Sequence, residues 1–157
     1  MQHSVTDFIR KNIRLNGFDY KTGYAYFVTI CTNNKEKYFL NKEIAEIVES
    51  SLDFRIAAKE VTVICYCIMP DHLHMLFSLN ESYSNNLSSW VSSFKRYISN
   101  QMNTKFGIKE FWHVNYYDHI VRNDESLENI AEYILNNPVR KQMVKDWTEY
   151  PYSKIKI

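Results

Sequence analysis

Along this chain the spacing of apolar positions alternates between two residues and three to four, and each change marks an element. Residues 24–32, a run of aromatic and β-branched side chains, predict a strand. Ile44, Ile47, Val48, Leu52 and Ile56 then recur at helical spacing within residues 42–59. Residues 61–68 and 72–79 read as two strands joined by a short turn around Pro70 and Asp71, an antiparallel hairpin. Leu87, Trp90, Val91, Phe94, Ile98 and Met102 form one stripe of a long helix that stops near Gly107. Residues 111–121 predict a fourth strand. A last helix follows, with Asn123 as N-cap, Asp124 and Glu125 in its first turn, and a stripe of Leu127, Ile130, Ala131, Ile134 and Leu135 running towards Pro138.

The order β-α-β-β-α-β, then α, predicts an α+β fold of the ferredoxin-like split βαβ type. Its antiparallel sheet would carry the two long helices on one face and leave the other face for a site, with the C-terminal helix packed beside it. At 157 residues the chain fits one domain, 1–157, with a basic amino-terminal arm over 1–22 and a carboxy-terminal tail over 144–157.

Composition alters this picture little. Hydrophobic residues make up 45% of the chain, but no apolar run approaches the roughly 20 residues that span a bilayer. The first residues lack the apolar core of a secretory signal, and three cysteines, Cys31, Cys65 and Cys67, form no disulfide-dense pattern. These features predict a cytoplasmic protein without a membrane partner. A net charge of +1 argues neither for nor against nucleic acid. The local clusters Arg10, Lys11 and Arg14; Lys95 and Arg96; and Arg140, Lys141 and Lys145 read individually as solvated faces.

Candidate chemistry centres on the run from Cys65 to Phe77, which sets His72 and His74 two residues apart in a strand. Alternation points both imidazoles to one face, where they supply two nitrogen ligands for a divalent cation and leave positions open for a phosphate. A rival uses the same strands. With a hairpin turn over residues 68–71, Cys67 pairs with His72 and Cys65 with His74, which would make a structural zinc site in a non-catalytic nucleic-acid-binding module. A phosphodiesterase built on paired HxT or HxS motifs is excluded, because the chain has no such pair.

The stretch from Met69 to Leu76, Met-Pro-Asp-His-Leu-His-Met-Leu, resembles the metal motif of the HUH single-tyrosine transposases, specifically the REP-associated tyrosine transposases. The resemblance extends to Asp19-Tyr20, to residues 26–32, to Phe94-Lys95, to residues 117–122, to residues 133–139 and to the closing segment with Tyr150-Pro151. It implies a metal-dependent endonuclease and strand transferase that cuts and rejoins single-stranded DNA hairpins through a 5′-phosphotyrosine, needing no small-molecule cofactor. Tyr133 matches the nucleophile. Its place beside the apolar stripe of the last helix is consistent with a half-buried ring and an accessible hydroxyl, and the phenol needs a cation nearby to attack at neutral pH. Asn137 matches the third metal ligand. It lies one helical turn after Tyr133, although Pro138 disfavours helical geometry there and a capping role is the alternative.

Two imidazoles and an amide oxygen suit Mg²⁺ or Mn²⁺. Lys95, Arg96 and Arg122 are candidates for phosphate contact, and Tyr117, with Trp112 and Tyr116, for stacking on bases. His119 is assigned a supporting role, since alternation puts Asp118 and His119 on opposite strand faces. One tyrosine per site implies either a homodimer or a monomer reacting sequentially, the REP-associated branch being expected to be monomeric.

Overall fold

The computed structural model describes residues 24–122 and 126–157. The predicted amino-terminal arm, the turn near Gly23, Asp19-Tyr20 and the Asn123–Glu125 cap segment lie outside them. Five strands, β1 (Ala25–Cys31), β2 (Val61–Met69), β3 (His72–Leu79), β4 (Tyr117–Val121) and β5 (Ser153–Ile155), form one sheet in the order β4-β1-β3-β2-β5. All its pairings are antiparallel. This is the split βαβ arrangement, with β3 inserted between β1 and β2. Among the described residues the α-helices are α1 (Lys42–Ala57), α2 (Leu87–Phe106), α3 (Leu127–Leu135) and α4 (Asn137–Arg140). Among the described residues no helix is long and apolar enough to cross a membrane.

Local chemistry explains the helix ends. The Asn41 side chain accepts a hydrogen bond from the Glu43 amide at the start of α1, and the Asn86 side chain accepts one from Ser89 at the start of α2. Gly107 closes α2 in the left-handed region, φ 67°, where a side chain is disfavoured by the backbone itself rather than by lack of room. Arg55 of α1 is nearly buried and ties the layer together. Its guanidinium donates to Glu60 at 3.1 Å and to the Ser93 hydroxyl at 3.2 Å, and lies over the Trp90 ring, whose Nε1 donates to the same Glu60 oxygen.

Both faces of the sheet are packed. On one, Val28, Ile30, Tyr66, Ile68, Leu73, Met75 and Phe77 bury against α1 and α2; on the other, Ile64, Cys65, Cys67, Met69 and Leu76 bury against Leu127, Ala131, Ile134 and Leu135 of α3. Alternation lets β2 serve both, and one irregularity sets two consecutive residues, Ile64 and Cys65, on the α3 side. Val63 pairs with Phe77 and Cys65 with Leu76, so Ile64 is an extra residue bulged into β2.

Three expectations need correction. The fourth strand begins at Tyr117 and not at residue 111, because Phe111 and Trp112 turn into the two-helix core and only a single bridge joins Trp112 to Thr32. The last helix is capped by Ser126, whose hydroxyl accepts from the Asn129 amide, rather than by Asn123. It runs towards Pro138 as read and stops short of it. It ends at Leu135, and Asn136 separates it from the short turn of helix α4, which has Pro138 in its first turn. The segment read as a tail supplies β5, held to β2 by strand pairing and by the Tyr150 hydroxyl donating to the Ile68 carbonyl at 2.6 Å.

Candidate active site

The strand register places the candidate residues in rows. Thr29 lies opposite both His74 and Tyr117, Cys31 opposite His72, and Phe27 opposite His119. Side chains opposite one another share a face, so His72, His74, Tyr117 and His119 all belong to the α3 side of the sheet. Tyr117 is exposed, and its ring meets Phe27 edge-on at 6.4 Å.

At the centre, His72 Nε2 and His74 Nε2 lie 3.1 Å apart, and the side-chain amide of Asn137 is 3.1 Å from His72 Nε2. Each outer ring nitrogen has its own partner. Asp71 Oδ1 accepts from His72 Nδ1 at 2.6 Å, and Thr29 Oγ1 is 2.7 Å from His74 Nδ1. A proton on each Nδ1 leaves both Nε2 lone pairs facing one another, an arrangement that a shared cation relieves. Burial pushes the His74 pKa down to about 3, aided by the nearby His72 and Arg140, so this imidazole is held in the neutral form that binds metal. Half a rotation of the Asn137 amide presents its oxygen in place of its nitrogen, completing two nitrogens and one oxygen. This donor set fits a hard or borderline divalent cation such as Mg²⁺ or Mn²⁺.

Tyr133 stands beside this trio. Its ring is 6.2 Å from that of His74 and 6.1 Å from that of Phe27, tilted 61° and 71° to them, and the side chain is half exposed. The break at Asn136 thus divides the candidate nucleophile, on α3, from the candidate third ligand, which opens α4. Both still reach the histidine face.

The structure does not bring every candidate here. Lys95 and Arg96 lie on α2, across the sheet, and the Lys95 ammonium donates to the carbonyls of His113 and Val114 at 2.8 and 3.3 Å. Lys95 therefore pins the loop that leads into β4. Burial lowers its pKa. Trp112 is buried in the two-helix core, so its ring faces are not open for stacking. Arg122 follows the last residue of β4.

The zinc alternative fails on register and on burial. Cys67 pairs with His74 and Cys65 with Leu76, two residues along β3 from the pairing that reading required, so Cys65 has no histidine opposite it. Burial raises both thiol pKa values, that of Cys67 to about 11, which opposes the thiolate a zinc ion needs. The Ser153 hydroxyl also donates to Cys67 Sγ at 3.2 Å. Among the described residues no group of three or more His, Cys, Asp and Glu side chains is placed to hold one ion.

Several contributors escaped the sequence reading. Thr29 and Phe27 reach the site only through strand pairing, which periodicity does not reveal. Asp71, read as a turn residue, orients His72. Arg140, read as part of a solvated cluster, lies with its guanidinium carbon 4.0 Å from the Tyr133 ring centre.

Comparison with known proteins identifies the family of the chain. Residues 20–137 match the family model described as "Transposase IS200 like". A Haemophilus influenzae protein described as a candidate REP-associated tyrosine transposase is 30% identical over 86% of this chain and 81% of its own length. The REP-associated tyrosine transposase of Escherichia coli K12 is 23% identical over 85% of this chain and 78% of its own. A solved REP-associated tyrosine transposase bound to a REP hairpin shares the fold, with a TM-score of 0.67 and 23% identity over 86% of this chain and 78% of that one. With three quarters of its length matched by one model and its site residues inside or at the edge of that match, this chain belongs to the IS200-like transposase family, alongside the REP-associated tyrosine transposases.

Proposed function

We propose that this transposase cleaves and rejoins single-stranded DNA beside a folded hairpin through a 5′-phosphotyrosine on Tyr133. The observation that carries the reading is the meeting of His72 Nε2, His74 Nε2 and the Asn137 amide within 3.1 Å contacts, with the Tyr133 ring beside them. His72, His74 and Asn137 would hold Mg²⁺ or Mn²⁺, which when bound would neutralise charge on the phosphate and favour the phenolate.

Tyr133 Oη attacks phosphorus and the new O–P bond forms as the bond to the 3′ oxygen breaks. The phenolic proton passes to water, and the departing oxygen takes one up as a free 3′-hydroxyl. The phosphotyrosine keeps the energy of the original diester, so attack by another 3′-hydroxyl restores DNA and releases Tyr133. Tyr117, on the same face, offers an exposed ring to a base flanking the cut. Because Tyr133 lies beside the histidines of its own chain, one protomer contains a complete site, and the reaction runs sequentially within it.

The test is incubation of wild type and Tyr133→Phe with end-labelled hairpin oligonucleotides from DNA flanking the gene, with Mn²⁺ or EDTA, followed by denaturing electrophoresis. A shifted covalent band is expected with wild type and Mn²⁺ only. An adduct that persists in Tyr133→Phe would move the nucleophile elsewhere. Hairpin binding without any adduct would leave a binding module in place of a strand transferase.

A further inference from the structure

We propose that Arg140 is the positioning residue of the attacking tyrosine, clamping the Tyr133 ring beside His74 before DNA arrives; this rests on the reading of Tyr133 as nucleophile. Arg140 holds Tyr133 at two points. Its guanidinium carbon lies 4.0 Å from the ring centre, and its Nη2 donates to the Tyr133 carbonyl at 2.7 Å. Only a planar fork with several donors makes both contacts at once.

Tyr133 needs such a hold. Half of it is exposed, and its other ring contacts, to Phe27 and His74, are tilted ones beyond 6 Å. Packing by itself leaves such a ring several rotamers, and attack on phosphorus requires one. The placement of the clamp also links two parts of the site. Helix α4 opens with Asn137 beside His72 and ends with Arg140 on Tyr133, so one short turn holds the third ligand at its start and the nucleophile at its end. Across the break at Asn136 the backbone stays bonded on both sides, Asn136 N–H to the Glu132 carbonyl at 3.0 Å and Arg140 N–H to the Asn136 carbonyl at 2.9 Å, and the Arg140 side chain adds a direct tie from α4 to Tyr133. Its positive charge is felt as far as His74.

The experiment compares wild type, Arg140→Ala and Arg140→Lys in the full chain, with the labelled hairpin oligonucleotide and Mn²⁺. Arg140→Ala is expected to melt and bind the oligonucleotide as wild type does, while single-turnover adduct formation at saturating DNA slows about 100-fold. Arg140→Lys keeps the charge but loses the flat double contact, and is expected to stay near the alanine variant. Weaker binding with an unchanged saturated rate, or full recovery with lysine, would overturn the clamp in favour of a simple phosphate contact. A wild type that forms no adduct would remove the proposed function, and the clamp is then judged by NMR. The Arg140 side-chain protons are expected at upfield, ring-shifted positions that Tyr133→Leu abolishes, and their absence in wild type would overturn the proposal.

Discussion

His72 and His74 owe their pairing to two neighbours that bond the outer nitrogen of each ring. Asp71 and Thr29 occupy the outer ring nitrogens at 2.6 and 2.7 Å, fixing which nitrogen of each ring faces inward. Replacing either partner frees the ring to rotate or to change tautomer. Thr29→Val and Asp71→Asn are each expected to weaken Mn²⁺ binding by about 10-fold or more without altering secondary structure, as measured by titration calorimetry and circular dichroism. At this scale the sequence was partly readable. Alternation placed both histidines on one face, because a two-residue separation in a strand has one outcome. The Thr29 contact spans 45 residues and depends on strand order. Arg140 was hidden for another reason, since a cation's partner is seldom visible when it is the face of an aromatic ring.

Among the elements, those with strong caps and clean stripes matched expectation. Helix α2 is the clearest, with its six-residue apolar stripe and Gly107 at its end. Gly107→Ala forces a side chain into the left-handed region and is expected to cost about 1 kcal/mol, read as a lower urea midpoint with unchanged slope. Elements that failed expectation did so where two local signals competed. Asn123 and Ser126 are both good N-cap types three residues apart, and the hydroxyl of Ser126 makes the bond. The aromatic run at residues 111–112 has strand propensity, but its large side chains fill the gap between the sheet and α1 and α2. Phe111 stacks on Tyr38 at 5.1 Å and meets Phe39 edge-on at 5.6 Å. Pro138 correctly signalled a break before Asn137, although its position at a helix start rather than inside one shows only in the fold.

For the molecule as a whole, the order of strands and helices was enough to anticipate the split βαβ sheet, because crossover and hairpin lengths leave few alternatives. Strand β5 was not anticipated. Its three residues are too short and mixed to show a period, and it forms because β2 would otherwise present an open edge. The two-helix layer depends on one charged group. Arg55, 8% exposed, bonds Glu60 and Ser93 and covers Trp90, so Arg55→Ala would leave the Glu60 carboxylate without its main partner. This change is expected to destabilise the protein by about 3 kcal/mol in equilibrium urea unfolding.

The Ile64 bulge gives the chain a spare position in β2. Between Val63 and Cys65 the strand spends two steps where β3, from Phe77 to Leu76, spends one. Removing Ile64 would make that stretch a regular ladder, with Val63 still directed to the two-helix side and Cys65 to the α3 side. An in-frame deletion of this single codon is therefore expected to cost stability through the lost buried side chain, yet leave the histidine pair and its ligand geometry unmoved. Length variation here is tolerable in a way it is not at Pro70 or Asp71, where the hairpin turn holds just two residues. A relative that lacks one residue just before Cys65 would keep the same histidine face.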